Sequence, residues 1–213
     1  MFKAVVFDID GTLTRDISWN RFTLGLGGSV ETHDEIYGRW KKGELTLQES
    51  NKLCLQNWSK DGKANKKDIT QILKEIPLRE DAKEITSYLK GKGYKICMIT
   101  GSFDLYAQIV GDELGIDDWY AISTLVWDEK DNLADVLTVT GDKEKKVELF
   151  HKFREKHGLE ISECVPIGDS SNDIGLFQLT GNGIAVRTEF EAIELEKVAW
   201  KKVDNLTELK QLL

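Results

Sequence analysis

Residues 5–14 read VVFDIDGTLT, so an apolar run enters two acids, Asp8 and Asp10, with only Ile9 between them. Two carboxylates this close repel each other unless a cation or a shared proton intervenes. Two further apolar runs end in reactive groups: YKICMITGS delivers Thr100, Gly101 and Ser102, and CVPIGDSSND delivers Asp169, Ser170, Ser171, Asn172 and Asp173. At an extended strand end, residues i and i+2 point the same way, so Asp8 and Asp10 can face one pocket. A hard divalent cation with oxygen ligands, Mg2+ foremost, would neutralise such a crowd of acids, with Asp169 as a further carboxylate, and would also bind a phosphate oxygen. The Thr-Gly-Ser run adds a hydroxyl and approachable backbone N–H groups at the start of an expected helix, a suitable place for an anion. Each signal alone has a plainer reading. Asp-x-Asp and Ser102 can serve as helix caps, and Asp173 can answer a helix dipole.

The elements that must position these groups are visible in the periodicity. The runs KAVVFDIDGT, YKICMITGS, CVPIGDSSND and GNGIAV are short and do not alternate, as expected of strands buried on both faces of a parallel sheet. Between them, LREDAKEITSYLKGKG repeats Ala82, Ile85 and Leu89, KEKKVELFHKFREKHG repeats Val147, Phe150 and Phe153, and both end in glycine. Strands alternating with helices predict an open α/β sheet with right-handed crossovers, whose ligands sit at the carboxyl ends of the strands. The segment from Asp16 to Ile76 breaks this rhythm. It holds Trp19, Trp40 and Trp58, half of the six tryptophans, and helix-like stretches such as TLQESNKLCLQNW and KKDITQILKEI. The expected organisation is therefore a Rossmann-like three-layer core, residues 1–15 and 77–213, with an inserted helical cap over residues 16–76. Pro77 marks the return to the sheet. ISTLVWDEKDNLADVLTVTGD reads as a hairpin.

Composition narrows the function classes. The 213 residues are 40% apolar and 31% charged, as in soluble globular proteins, and the net charge of -8 argues against nucleic-acid or anionic membrane surfaces. No apolar stretch approaches the roughly 20 residues that span a bilayer. The start MFKAVVFDID has acids where a signal peptide would stay apolar, so the cytoplasm is the expected location. Cys54, Cys97 and Cys164 lie far apart without a CxxC pair and read as small buried hydrophobes. His33, His151 and His157 have no metal-ligand spacing. The expected partner is a small phosphate ester, with monomer and homodimer both open.

Taken in order, FDIDGTLT, MITGSF, a lysine near KEKKVELF and GDSSNDIGLF make the chain resemble the haloacid dehalogenase superfamily of phosphohydrolases, in its phosphoserine phosphatase-like branch. The resemblance covers nearly the whole chain. It implies that Asp8 is a nucleophile forming an aspartyl-phosphate, and that Asp10 is the acid for the leaving alcohol and then the base for water. It implies that Thr100 and a lysine hold the phosphoryl oxygens, in a phosphate-binding set with Gly101, Ser102 and Asn172. Asp8, Asp10 through its backbone carbonyl, and Asp169 would hold Mg2+, supported by Asp173. Lys143, Lys145 and Lys146 are all candidates for the lysine; Lys146 is favoured because Leu149 and Phe150 follow it as buried helical positions, and Lys145 is the runner-up. The activity implied is Mg2+-dependent hydrolysis of a small phosphomonoester. A phosphotransferase or sugar-phosphate mutase, and a non-catalytic phospholigand-binding protein, are the rival readings. The branch commonly has a glutamate for the substrate ammonium and an arginine for its carboxylate, and these positions align with Ile17 and Cys54. Asp16, Arg21 and Arg39 are the charges left to replace them. The family chemistry is thus expected more firmly than a phosphoserine-like substrate. Trp19, Trp40 and Trp58 are expected chiefly as cap core, with a part in specificity as a hypothesis.

Overall fold

The computed structural model describes residues 1–139, 141–188 and 192–213. Its strands are β1 (Ala4–Phe7), β2 (Lys95–Phe103), β3 (Asp118–Trp127), β4 (Leu133–Leu137), β5 (Cys164–Gly168), β6 (Ile184–Val186) and β7 (Lys201–Val203). They form one sheet in the order β4-β3-β2-β1-β5-β6-β7. Only the β3–β4 pair is antiparallel. Helices α1 (Ser18–Gly25), α2 (Val30–Lys41), α3 (Leu47–Trp58) and α4 (Lys66–Lys74) follow β1. Next come α5 (Ala82–Gly91), α6 (Asp104–Leu114), α7 (Asp142–Lys156), α8 (Ile174–Thr180) and α9 (Ile193–Val198).

The central strands are apolar throughout because both faces are covered. Val5 and Phe7 of β1 pack with Ile85 and Leu89 of α5, while Ala4 and Val6 pack with Leu149, Phe150 and Phe153 of α7. The result is a Rossmann-like sheet between helical layers. The chain crosses from β1 to β2 on one side and reaches β5 on the other, so the loops after β1 and β5 adjoin where ligands of such sheets bind.

Several local expectations change. Thr100 to Ser102 do not begin a helix: β2 runs on to Phe103, its register with β3 shifting between Thr100 and Phe103, and α6 starts only at Asp104. Continued pairing of Phe103 with Ser123 keeps this stretch extended. The hairpin reading is right about β3 and β4, but β3 starts earlier, at Asp118, and its first half pairs in parallel with β2. One strand thus closes the parallel sheet and opens the hairpin. Strand β7, KKV, escaped the sequence reading because its two lysines are exposed and only Val203 is buried. Helix α2 escaped it because only His33 and Ile36 are buried there.

The four helices between Ser18 and Lys74 share a core of Phe22, Leu26, Trp58, Ile69 and Leu73. Trp58 Nε1 donates to Thr23 Oγ1 at 2.9 Å, which satisfies the indole while it is buried. The ends of this segment meet. Thr14 and Leu78 form an antiparallel bridge, and Arg79 N donates to Leu13 O at 2.8 Å. The same segment also rests on the hairpin, where Asn51 Nδ2 donates to Val136 O at 2.7 Å and Leu133 N donates to Ala64 O at 2.8 Å. Among the described residues no helix is long and apolar enough to cross a membrane.

At the other end of the sheet Asp118, the first residue of β3, meets Lys156 at 2.5 Å and His157 at 2.7 Å. Burial pushes its carboxyl up, but hydrogen bonds from Lys156 and His157 more than reverse this and leave it below the usual carboxylate range. A depressed carboxyl stabilises the fold above its unfolded-state value, about 3.9, and loses that contribution as pH falls through the folded value. Asp118→Asn should therefore cost about 1 kcal/mol or less at pH 7, because Lys156 is largely solvated. In denaturant melts the gap to the parent protein should close as pH drops below about 4.

Candidate active site

Asp8 directly follows β1, and its N–H still donates to Ile167 O at 2.9 Å, so β5 fixes where its side chain starts. The chain then turns sharply: the N–H groups of Thr12, Leu13 and Thr14 all point to Ile9 O. Gly11 has φ +76°, and a Cβ there would run into the Asp169 carboxylate. Glycine is required twice over, for the backbone angle and for the approach of the β5 loop. Thr12 Oγ1 donates to Asp169 Oδ1 at 3.0 Å, and Arg79 Nη2 donates to Gly11 O at 2.7 Å. Nothing around Arg79, a lone arginine beyond the helical segment, marks it out in the sequence.

Lys146 enters from α7. Its side chain lies on the same buried helix face as Leu149, Phe150 and Phe153 and is wholly shut from solvent. Nζ meets Asp173 Oδ1 at 2.6 Å, Asn172 Oδ1 at 2.9 Å and Asp8 Oδ1 at 3.1 Å. Lys145 instead pairs with Glu148 at 2.8 Å, and Lys143 is exposed. Burial alone would lower the Lys146 pKa, but the charges of Asp173 and Asp8 raise it above its usual value, so the ammonium persists.

One lysine does not balance this many acids. Burial pushes Asp8 well above the usual range, and the charges of Asp173, Asp169 and Asp10 add to it against Lys146. Burial and the neighbouring Asp173 push Asp169 up to about 7. One carboxylate oxygen from each of Asp8, Asp169 and Asp173 lies within 4.8 Å of the others. Three buried hard oxygens with a deficit of positive charge fit a small divalent cation. The Asp10 carboxylate is not one of that group. Its Oδ2 accepts from Ser18 Oγ at 2.6 Å, and its Oδ1 is buried without a partner. Burial, against the hydrogen bonds from Ser18, pushes Asp10 up to about 6.

These groups form the floor of a cavity of about 310 Å3. Asp8, Asp10, Thr100, Gly101, Asp169 and Asn172 all line it. Ser102 does not. Its hydroxyl faces the Ser18 hydroxyl, and its N–H donates to Thr100 Oγ1 at 3.1 Å. It caps no helix either, since α6 begins at Asp104 with Phe103 before it. Ile17 and Cys54 line the wall above, so that wall is apolar where the sequence alignment placed the head-group charges. Neither Arg21 nor Arg39 lines the cavity; Arg21 pairs with Asp16 at 2.7 Å and Arg39 with Glu44 at 3.7 Å. Ser18, which holds Asp10, was not singled out from the sequence, although a hydroxyl opening the helix after Asp-x-Asp was a usable signal.

The family model described as haloacid dehalogenase-like hydrolase matches residues 2–179. The phosphoserine phosphatase of Methanocaldococcus jannaschii is 27% identical over 190 residues, covering 86% of this chain and 84% of the relative. That of Archaeoglobus fulgidus is 28% identical over 189 residues, covering 86% of this chain and 52% of the relative, so the chain spans about half of that protein. A substrate-bound phosphoserine phosphatase structure superposes with a TM-score of 0.80 at 22% identity, covering 100% of this chain and 99% of the other, and shares the fold.

The meeting of the β1 and β5 loops yields a test. Gly11→Ala should cost about 1–3 kcal/mol through backbone strain and displace Asp169. A divalent cation should raise the melting temperature of the parent protein and leave that of the variant unchanged. An undiminished rise would show that Asp169 does not take part in holding the cation.

Proposed function

Because the chain belongs to the haloacid dehalogenase-like hydrolases, we propose that it hydrolyses a small phosphomonoester in two displacements through Asp8. The observation that carries this reading is the unlike surroundings of two acids facing one cavity. Asp8 is ion-paired to Lys146 within the cluster of carboxylates, while Asp10 is hydrogen-bonded to Ser18 outside it; burial raises both carboxyls, and a cation at the cluster would keep Asp8 ionised while leaving Asp10 its proton. Environments that separate two carboxyls in this way divide the roles of nucleophile and proton carrier.

In the first displacement an Asp8 oxygen forms a bond to phosphorus, the bond to the ester oxygen breaks, and protonated Asp10 gives its proton to the departing alkoxide. In the second, Asp10 takes a proton from water as the water oxygen bonds to phosphorus, and the acyl-phosphate bond breaks to return the Asp8 carboxylate and release phosphate. Thr100, Gly101 and Asn172 would face the phosphoryl oxygens from the cavity floor, with Lys146 behind them countering the charge of Asp8 and Asp173. We place Ser102 behind Ser18, as a support for the hydrogen bond to Asp10. Mg2+, held by Asp8, Asp169 and Asp173 with the Asp10 carbonyl, would supply the positive charge that lets a carboxylate approach a phosphate dianion. Residues 16–76 would act as a cap over the core of residues 1–15 and 77–213, closing to exclude water. Three buried free thiols suit a reducing compartment, and the cytoplasm is the proposed location.

Release of leaving group and of phosphate separates the two acids. Asp8→Asn should abolish turnover of every ester. In the pre-steady-state burst of leaving group, Asp10→Asn should slow alkyl phosphates by about 10²–10⁴-fold but p-nitrophenyl phosphate much less, since that leaving group needs no proton, whereas the lost base of the second displacement slows steady turnover of both. Full activity in Asp8→Asn would sink the mechanism, and equal losses of burst rate on both ester types would remove Asp10 as the acid.

A further inference from the structure

The cavity extends from the acidic floor along a wall whose chemistry is one-sided. Trp19, His33, Tyr37 and Trp40 line it, together with the carboxylates Asp34 and Asp142. Among the described residues no lysine or arginine lines it. His33 adds no cation: it stacks against both Trp19 and Trp58, at 5.7 and 5.9 Å, and burial holds it below its usual pKa despite Asp34. A second anionic group on the substrate would therefore meet two carboxylates and the neutral side chains of Asn20, Ser50, Asn51 and Thr138, with no cation of the lining to pair its charge. An organic cation meets the opposite situation, because indole and phenol faces attract ammonium groups and the two carboxylates reinforce them. Just outside the lining, an alkylammonium of the chain itself already meets three of these side chains. Lys41 Nζ lies 5.3 Å from the Tyr37 ring centre, 5.2 Å from that of Trp40 and 3.9 Å from Asp142 Oδ2.

We propose that the substrate is the phosphomonoester of an amino alcohol, its leaving group carrying an ammonium and no carboxylate, recognised by Tyr37, Trp40 and Asp142. This rests on the phosphatase reading above and names its substrate class. Two matched pairs test it by phosphate release. Phosphocholine against 3,3-dimethylbutyl phosphate changes only the charge, and phosphoethanolamine against O-phosphoserine adds only the carboxylate. The expected kcat/KM ratios are about tenfold or more for the first pair and about a hundredfold for the second. Trp40→Leu should bring the first ratio near one. Lys41→Met, which removes the resident ammonium from an exposed position, should raise kcat/KM for phosphocholine. A neutral isostere turned over as well as phosphocholine would overturn the proposal in favour of an apolar leaving group. Phosphoserine matching phosphoethanolamine, or Lys41→Met impairing phosphoserine alone, would overturn it in favour of an anion-binding wall. If no ester is turned over, p-nitrophenyl phosphate included, the phosphatase reading itself has failed.

Discussion

A single buried ammonium, that of Lys146, stands against the carboxylates of Asp8 and Asp173 with Asp169 close by. Everything near the site is arranged around that imbalance. Taking charges out of water is costly unless each is paired, and removing one partner of a buried pair is costlier still. Lys146 is the only one of its three neighbouring candidates whose helix face turns inward, carried there by the apolar contacts of Leu149, Phe150 and Phe153. Core packing thereby decides where the charge sits. The remaining deficit of positive charge leaves the cluster suited to a divalent cation.

Backbone geometry makes this crowding possible. The β1 and β5 loops approach so closely that Gly11 has no room for a side chain beside Asp169, and Gly168 has none beside Asp173. Asp8 reaches its place through the β1–β5 ladder, Asp169 through Thr12, and the turn itself through Arg79. Rigid positioning of this kind lets donors and charges act on a reacting group without reorganising as it reacts.

The acids, the parallel strands and the inward lysine were legible in the sequence because each leaves a local mark: an apolar run ending in Asp, or a lysine in register with buried phenylalanines. The hydrogen-bond partners were not. Ser18 and Ser102 are 84 residues apart, as are Asn51 and Asp135, and nothing near either member of a pair announces the other. The Thr-Gly-Ser segment was misread for a related reason: whether it stays extended depends on pairing with β3, more than twenty residues later. The wall was half legible, through Ile17, Cys54, Trp19 and Trp40, but His33, Asp34 and Tyr37 required α2, whose sparse apolar pattern concealed it.

The meeting of Thr14 with Leu78 has a consequence for how such chains diversify. A segment whose two ends are already hydrogen-bonded to each other begins and finishes at one point of the core. Its length and sequence can change without altering the distance the core must span, and lengthening a closed loop adds little entropic penalty. The stretch between residues 14 and 78 can therefore vary in length without the core having to open, with the Thr14–Leu78 seam as its fixed boundary.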